Sequence, residues 1–187
     1  IDAHKKLNWP DEGMYGAGLD VADNESGGDL NALAIRRGPV LVRAEEWGER
    51  DTGQTARRAL VACQDLGQID IQYDAAPIAS GVKAEVNRLR DENIMPKNIK
   101  FVPWLAGGKV LHPSDRIIPN DREAPRNKDF YANLKAQGWW ELRSRFYRTF
   151  QAVTQGIEFE ADDLISLPST LPLLRKIEKE LSQATAS

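Results

Sequence analysis

The sequence predicts an α/β fold: a central mixed sheet, made of a three-strand antiparallel meander plus parallel strands, flanked by helices. Three observations carry this. Three apolar runs, at 15–22, 29–37 and 39–47, follow one another with only turn residues between them. Two further runs, at 68–74 and 98–104, are separated from each other by a segment of helical period, the strand–helix–strand order of a parallel pair. The 187 residues, 41% hydrophobic and 28% charged, suit an ordinary globular domain with one core.

The elements follow in order. Residues 1–14 read as a linker stub, broken at Trp9-Pro10 and rich in charge, ahead of a domain spanning 15–187. Strand one, 15–22, delivers Asp20 among Gly, Ala, Leu and Val, where a lone carboxylate is poorly placed without a cation. The Gly- and acid-rich turn 24–29 leads into strand two, and Gly38-Pro39 predicts a hairpin into strand three. Asp51 and Gln54 stand near capping-box spacing at the start of a helix, with Ala56, Leu60 and Cys63 on one face and Gly67 as its stop. The strand at 68–74 alternates cleanly and ends on Asp74. Val82, Val86 and Leu89 mark the next helix, ending near Asn93.

Residues 105–128 lack either period and hold Gly107, Gly108, Pro113, Pro119 and Pro125 among many charges, as a functional or mobile loop would. Residues 129–150 return to helical order, with Phe130, Leu134, Leu142, Phe146 and Phe150 in a stripe that Trp139 and Trp140 thicken; the expectation is core packing. An acidic turn at 162–168 precedes a last amphipathic helix carrying Leu173, Leu174, Ile177 and Leu181, and the tail 182–187 reads as frayed.

Several classes are disfavoured. No apolar run approaches a membrane span, and the first residues lack the apolar core of a signal peptide. One cysteine, Cys63, excludes an internal disulfide or a zinc cluster. Net charge is -3, so nucleic acid would need a local basic face. Residues 109–148 supply one: nine cations against five acids give that stretch +4 and leave -7 on the rest. Lys109, Arg116, Arg122, Arg126, Lys128 and Lys135 are its candidate DNA contacts, made to backbone rather than bases. His4 and His112 are the only histidines, and surface placement is expected for both.

The candidate chemistry lies in Asp20 and Asp74. Each closes an apolar strand and is followed by small residues that let a ligand approach. If the two strands are parallel neighbours, the carboxylates meet at one edge and repel unless a hard cation lies between them. Mg2+ or Mn2+ suits such oxygen ligands, and two ions about 4 Å apart can activate water and stabilise the leaving oxygen of a phosphodiester.

Gly18-Leu19-Asp20-Val21-Ala22-Asp23, followed by Gly27-Gly28-Asp29-Leu30-Asn31-Ala32-Leu33, resembles the opening of the nuclease domain of tailed-phage large terminase subunits of the headful-packaging type. Asp74 with Gly81-Val82 is similar to that family's second acidic motif; Phe130 to Gln137 and Trp139 to Arg143 resemble its late helix, and Leu164 to Leu181 the segment after it. The resemblance covers about 15–182. It implies a ribonuclease H-like fold and two-metal cleavage of concatemeric double-stranded viral DNA. Asp20 and Asp74 are the implied first and second metal ligands. The family's third acid is not found by motif; Asp129, Asp162 and Asp163 are stand-ins, with Asp23 and Asp29 weaker. The implied partners are an N-terminal ATPase domain (its phosphate loop is absent here), a small subunit and a portal. The implied location is the host cytoplasm, transiently at the procapsid. Two other readings are a non-catalytic ribonuclease H-like docking module and a resolvase- or integrase-like nuclease.

Overall fold

A computed structural model of the chain describes residues 1–10, 12–22, 28–75, 79–119 and 121–183. Five strands form one sheet: β1 (Tyr15–Asp20), β2 (Asn31–Arg37), β3 (Val40–Trp47), β4 (Ile69–Asp74) and β5 (Ile99–Trp104), in the order β3-β2-β1-β4-β5. β1, β2 and β3 pair antiparallel, while β4 lies parallel to both β1 and β5. The meander and the parallel pair expected from the sequence are both present. Gly38 makes the hairpin turn between β2 and β3 with φ 51, a left-handed value natural to glycine. Its amide donates to the Met14 carbonyl at 3.0 Å, which ties the turn to the entry of β1.

Alternation sorts the side chains onto two unlike faces. Ala17 and Leu19, Leu33 and Ile35, Ile69 and Ile71, and Ile99 and Phe101 are buried on one face. Two helices of matching period cover it. These are α2 (Thr52–Cys63), which buries Ala56, Ala59 and Cys63, and α3 (Ser80–Asp91), which buries Val82, Val86 and Leu89. Asp51 caps α2, its carboxylate accepting from Gly53 N at 2.7 Å and Gln54 N at 3.3 Å. The helix ends at Cys63, short of Gly67, because the chain already turns at Leu66, whose amide bonds the Cys63 carbonyl at 3.1 Å. Burial pushes the Cys63 thiol up to about 11, as expected of an inert core sulfur.

The other face carries Gly16, Gly18, Ala32, Ala34, Gln72 and Asp74, and across its carboxyl end runs α5 (Leu134–Gln155). The helical stretch expected at 129–150 is in fact two pieces: α4 (Asn127–Phe130), a break, then α5. Asn133 imposes the break by capping α5, its side chain accepting from Ala136 N at 2.9 Å. The expected core packing of the aromatic stripe fails. Trp139 is 45% exposed and Phe150 56%, and Phe130 and Trp140 are also open to solvent. Among described residues α5 buries only Gln137, Thr149 and Ala152. Phe130 and Trp140 satisfy one another edge to face, with centroids 5.0 Å apart, and Arg143 lies 5.1 Å over the Trp140 ring.

The irregular stretch after β5 is held by two buried amides. Gln137 accepts from Leu111 N at 2.7 Å and donates to the Leu111 carbonyl at 3.3 Å. Asn127 donates to the carbonyls of Leu111 at 3.2 Å and His112 at 3.0 Å. The opening residues carry a short helix, α1 (Ala3–Lys6), packed onto the domain; Asp2 N donates to the Leu167 carbonyl at 2.9 Å, and His4 Nδ1 lies 2.7 Å from Ser166 Oγ. The last helix, α6 (Leu174–Gln183), leaves Leu173, Leu174, Ile177 and Leu181 half-buried, and Lys176 pairs with Glu46 of β3. Of the expected frayed tail, 184–187 lie outside the described residues.

Candidate functional site

The register of the parallel pair places the two candidate acids together. Leu19 pairs with Tyr73, so Asp20 and Asp74 are the next step along β1 and β4 and project from the same face. Both lie at the carboxyl ends of parallel strands, where ligands of open α/β sheets gather. They share a groove of ≈ 540 Å³ between the sheet and α5. Its floor is built from Gly18, Ala32 and Ala34, and a Cβ added at Gly18 would meet nothing within 4 Å. Trp104, Trp139 and Leu142 wall it, and Lys135 is the cation among its lining residues.

The electrostatics follow from this arrangement. The Asp20 carboxyl is pushed above its ordinary range, first by partial burial and then by repulsion from Asp74. Asp29, exposed at the end of the turn, adds to the repulsion. Against this, the neighbouring Val21 main chain and, more weakly, Lys135 favour the charged form. A carboxylate pair with oxygen donors only fits a hard divalent ion such as Mg2+ or Mn2+. The N-terminal amides of α5 are already used: Leu134 N bonds the Gly108 carbonyl and Lys135 N the Ala106 carbonyl, each at 2.9 Å. Positive charge in the groove therefore comes from the Lys135 side chain rather than from free helix-end donors.

The other candidates lie elsewhere. Asp163 sits in a 3-10 turn at Ala161–Asp163 and pairs with Arg148 at 2.6 Å. Arg148 is six positions along α5 from Leu142, the last groove residue on that helix, so about 9 Å beyond the groove at the helical rise. Asp129 is an exposed residue of α4, and neither it nor Asp162 lines the groove. Asp23 lies outside the described residues. Among the described residues no cluster of three metal-ligating side chains forms. Of the basic candidates, Lys135 faces the acids. Lys109, Arg122, Arg126 and Lys128 are exposed, but outside the groove lining. Arg116 is spent on its own loop, where its guanidinium donates to the Ala124 carbonyl. His112, also exposed, does not line the groove.

Comparison with solved structures places this geometry. The nuclease domain of the large terminase subunit gp2 of bacterial virus Sf6 superposes with a TM-score of 0.83 at 25% identity, covering 100% of this chain and 78% of that one. The chain is similar throughout to a phage terminase nuclease domain. Its mixed sheet with flanking helices is the ribonuclease H-like fold of terminase nucleases. Two structures of one point mutant of the Sf6 protein match as fully. One, with manganese and beta-thujaplicinol, gives a TM-score of 0.82 at 25% identity. The other, with calcium, gives 0.80 at 27%. Each is covered to 78% of its length by the whole of this chain. No family model and no curated protein matches the sequence. No helix among the described residues is long and apolar enough to cross a membrane.

Two buried amides that hold the chain around the groove were not singled out from the sequence: Asn31 was placed within strand two and Gln137 within the late helix. Asn31 is 0% exposed and Gln137 is also buried, each bonded to backbone. The available signal for Asn31 was its place at the head of an apolar strand, where Asn is depleted.

Proposed function

We propose that this chain is a metal-dependent endonuclease domain that cleaves concatemeric double-stranded viral DNA during genome packaging. The observation that carries the reading is the side-by-side presentation of Asp20 and Asp74 above a small-residue floor. The likeness to Sf6 terminase nuclease domains, solved with manganese and with calcium, supports it.

Asp20 and Asp74 hold Mg2+ or Mn2+ through their carboxylate oxygens. Two such ions, when bound, activate the attacking water and stabilise the leaving oxygen of the phosphodiester. The protein supplies the rest. Lys135, in the same groove, meets a non-bridging phosphate oxygen and so sets the distance of the scissile bond from the acids. Lys109, Arg122, Arg126 and Lys128 lie on exposed surface, where they meet neighbouring phosphates without reading bases. Binding is therefore salt-dependent and sequence-tolerant. In this role the domain works beside an ATPase domain, a small subunit and a portal, in the host cytoplasm.

A second reading, a non-catalytic docking module, is favoured by one observation: among the described residues no third acid joins the pair. Plasmid digestion decides between them. With Mn2+ or Mg2+ the wild-type chain converts supercoiled plasmid to cut forms, and EDTA or Asp20→Asn abolishes this. Intact plasmid with either metal refutes the nuclease reading.

A further inference from the structure

The acid pair depends on how the chain leaves β1, and one buried side chain governs that exit. Asn31 is the first residue of β2 and is 0% exposed. Its Oδ1 accepts from Ala22 N at 3.1 Å. Its Nδ2 donates to the Trp47 carbonyl at 3.3 Å and the Glu49 carbonyl at 3.0 Å. A single amide thus joins the exit of β1, the entry of β2 and the exit of β3, and satisfies three main-chain groups. The amide it grips is two residues past Asp20, at the exit of the strand that carries that carboxylate.

We propose that Asn31 is a positioning residue for the metal site: by fixing the Ala22 amide it holds the exit of β1 in place and hence the direction in which Asp20 projects beside Asp74. This inference rests on the metal-site reading above.

The physical argument is one of alternatives. The ladder between β1 and β2 ends at Asp20 opposite Ala32. Beyond it the Ala22 amide has no strand partner, and the chain is free to rotate about the bonds that follow Asp20. A side-chain amide there does what a further rung would do. Only a side chain with a donor and an acceptor on one planar group serves Ala22 and two carbonyls at once. Leu or Val would fit an apolar strand yet lose all three hydrogen bonds. Loss of the amide therefore acts on the carboxylate through the backbone, and residues that orient metal ligands typically control affinity by about 10–100-fold.

The test measures metal binding without DNA. Mn2+ affinity is determined by calorimetry for the wild type, Asn31→Ala, Asn31→Ser and, as a stability control, Cys63→Ala in the core on the opposite face of the sheet. Melting temperatures are recorded in parallel. The account expects both Asn31 variants to bind Mn2+ at least about tenfold more weakly, while Cys63→Ala binds as the wild type at a similar loss of melting temperature. Asn31 variants that bind within about twofold of the wild type overturn the inference and leave the nuclease reading standing. A wild type that takes up no Mn2+ overturns both. Backbone hydrogen exchange on the wild type needs no variant to fold: the Ala22 amide should be protected like those of β1. Fast exchange at Ala22 overturns the proposal.

Discussion

Replacing Asp20 by Asn should leave the metal-free protein more stable and make it blind to metal. The two carboxylates close neighbouring parallel strands, which lie about 4.8 Å apart. Full charges at that spacing repel by about 1 kcal/mol in water and about 3 kcal/mol at the effective dielectric of a protein surface. Asp20 opens to the groove, so the solvated end applies, about 1 kcal/mol. For a chain of this size that raises the melting temperature by about 2–4 °C in EDTA. The pH dependence has a definite sign. The folded-state carboxyl lies above its ordinary value of 3.8, so the folded chain holds the proton more tightly than the unfolded one. Metal-free stability therefore falls as pH rises through the window above 3.8, and Asp20→Asn removes that slope. Metal reverses the order. At about 100 Kd of Mn2+ the wild type gains about 2.7 kcal/mol, whereas the variant gains little. Differential scanning fluorimetry in EDTA and in Mn2+, across pH, reads all of this. A variant that melts below the wild type in EDTA, or gains as much from Mn2+, refutes the reasoning.

The other predictions concern the frame and the substrate. Lys135→Ala should weaken duplex binding uniformly across sequences and lower the salt slope by about 1, measured by fluorescence anisotropy. Ile71→Ala, at the centre of the covered face, should cost about 2–5 kcal/mol in urea unfolding. Asp51→Ala, which removes the cap of α2, should cost about 1 kcal/mol and leave cleavage unchanged.

The sheet was legible because its code is local. Period-two runs with Gly38-Pro39 between them specify a hairpin, and the strand–helix–strand order specifies the parallel β4 and β5. The juxtaposition of Asp20 and Asp74 was legible because it needs only that β4 lie beside β1. The α5 stripe was misread for a physical reason. Periodicity tells which residues share a face, not whether anything covers it, and Trp139 and Phe150 stand open. Asn31 and Gln137 were illegible because their burial is decided by backbone groups far along the chain, at Glu49 and Leu111, which no local pattern reports. Asp163 was a fair candidate by composition, but Arg148 of α5 claims it.

The central claim is that Asp20 and Asp74 jointly hold a divalent metal. Electron paramagnetic resonance titration of Mn2+ into the wild type, Asp20→Asn and Asp74→Asn tests it most directly. The account predicts saturable uptake by the wild type and loss of that uptake in both variants, with each variant still folded. Uptake by either variant at wild-type affinity would contradict it.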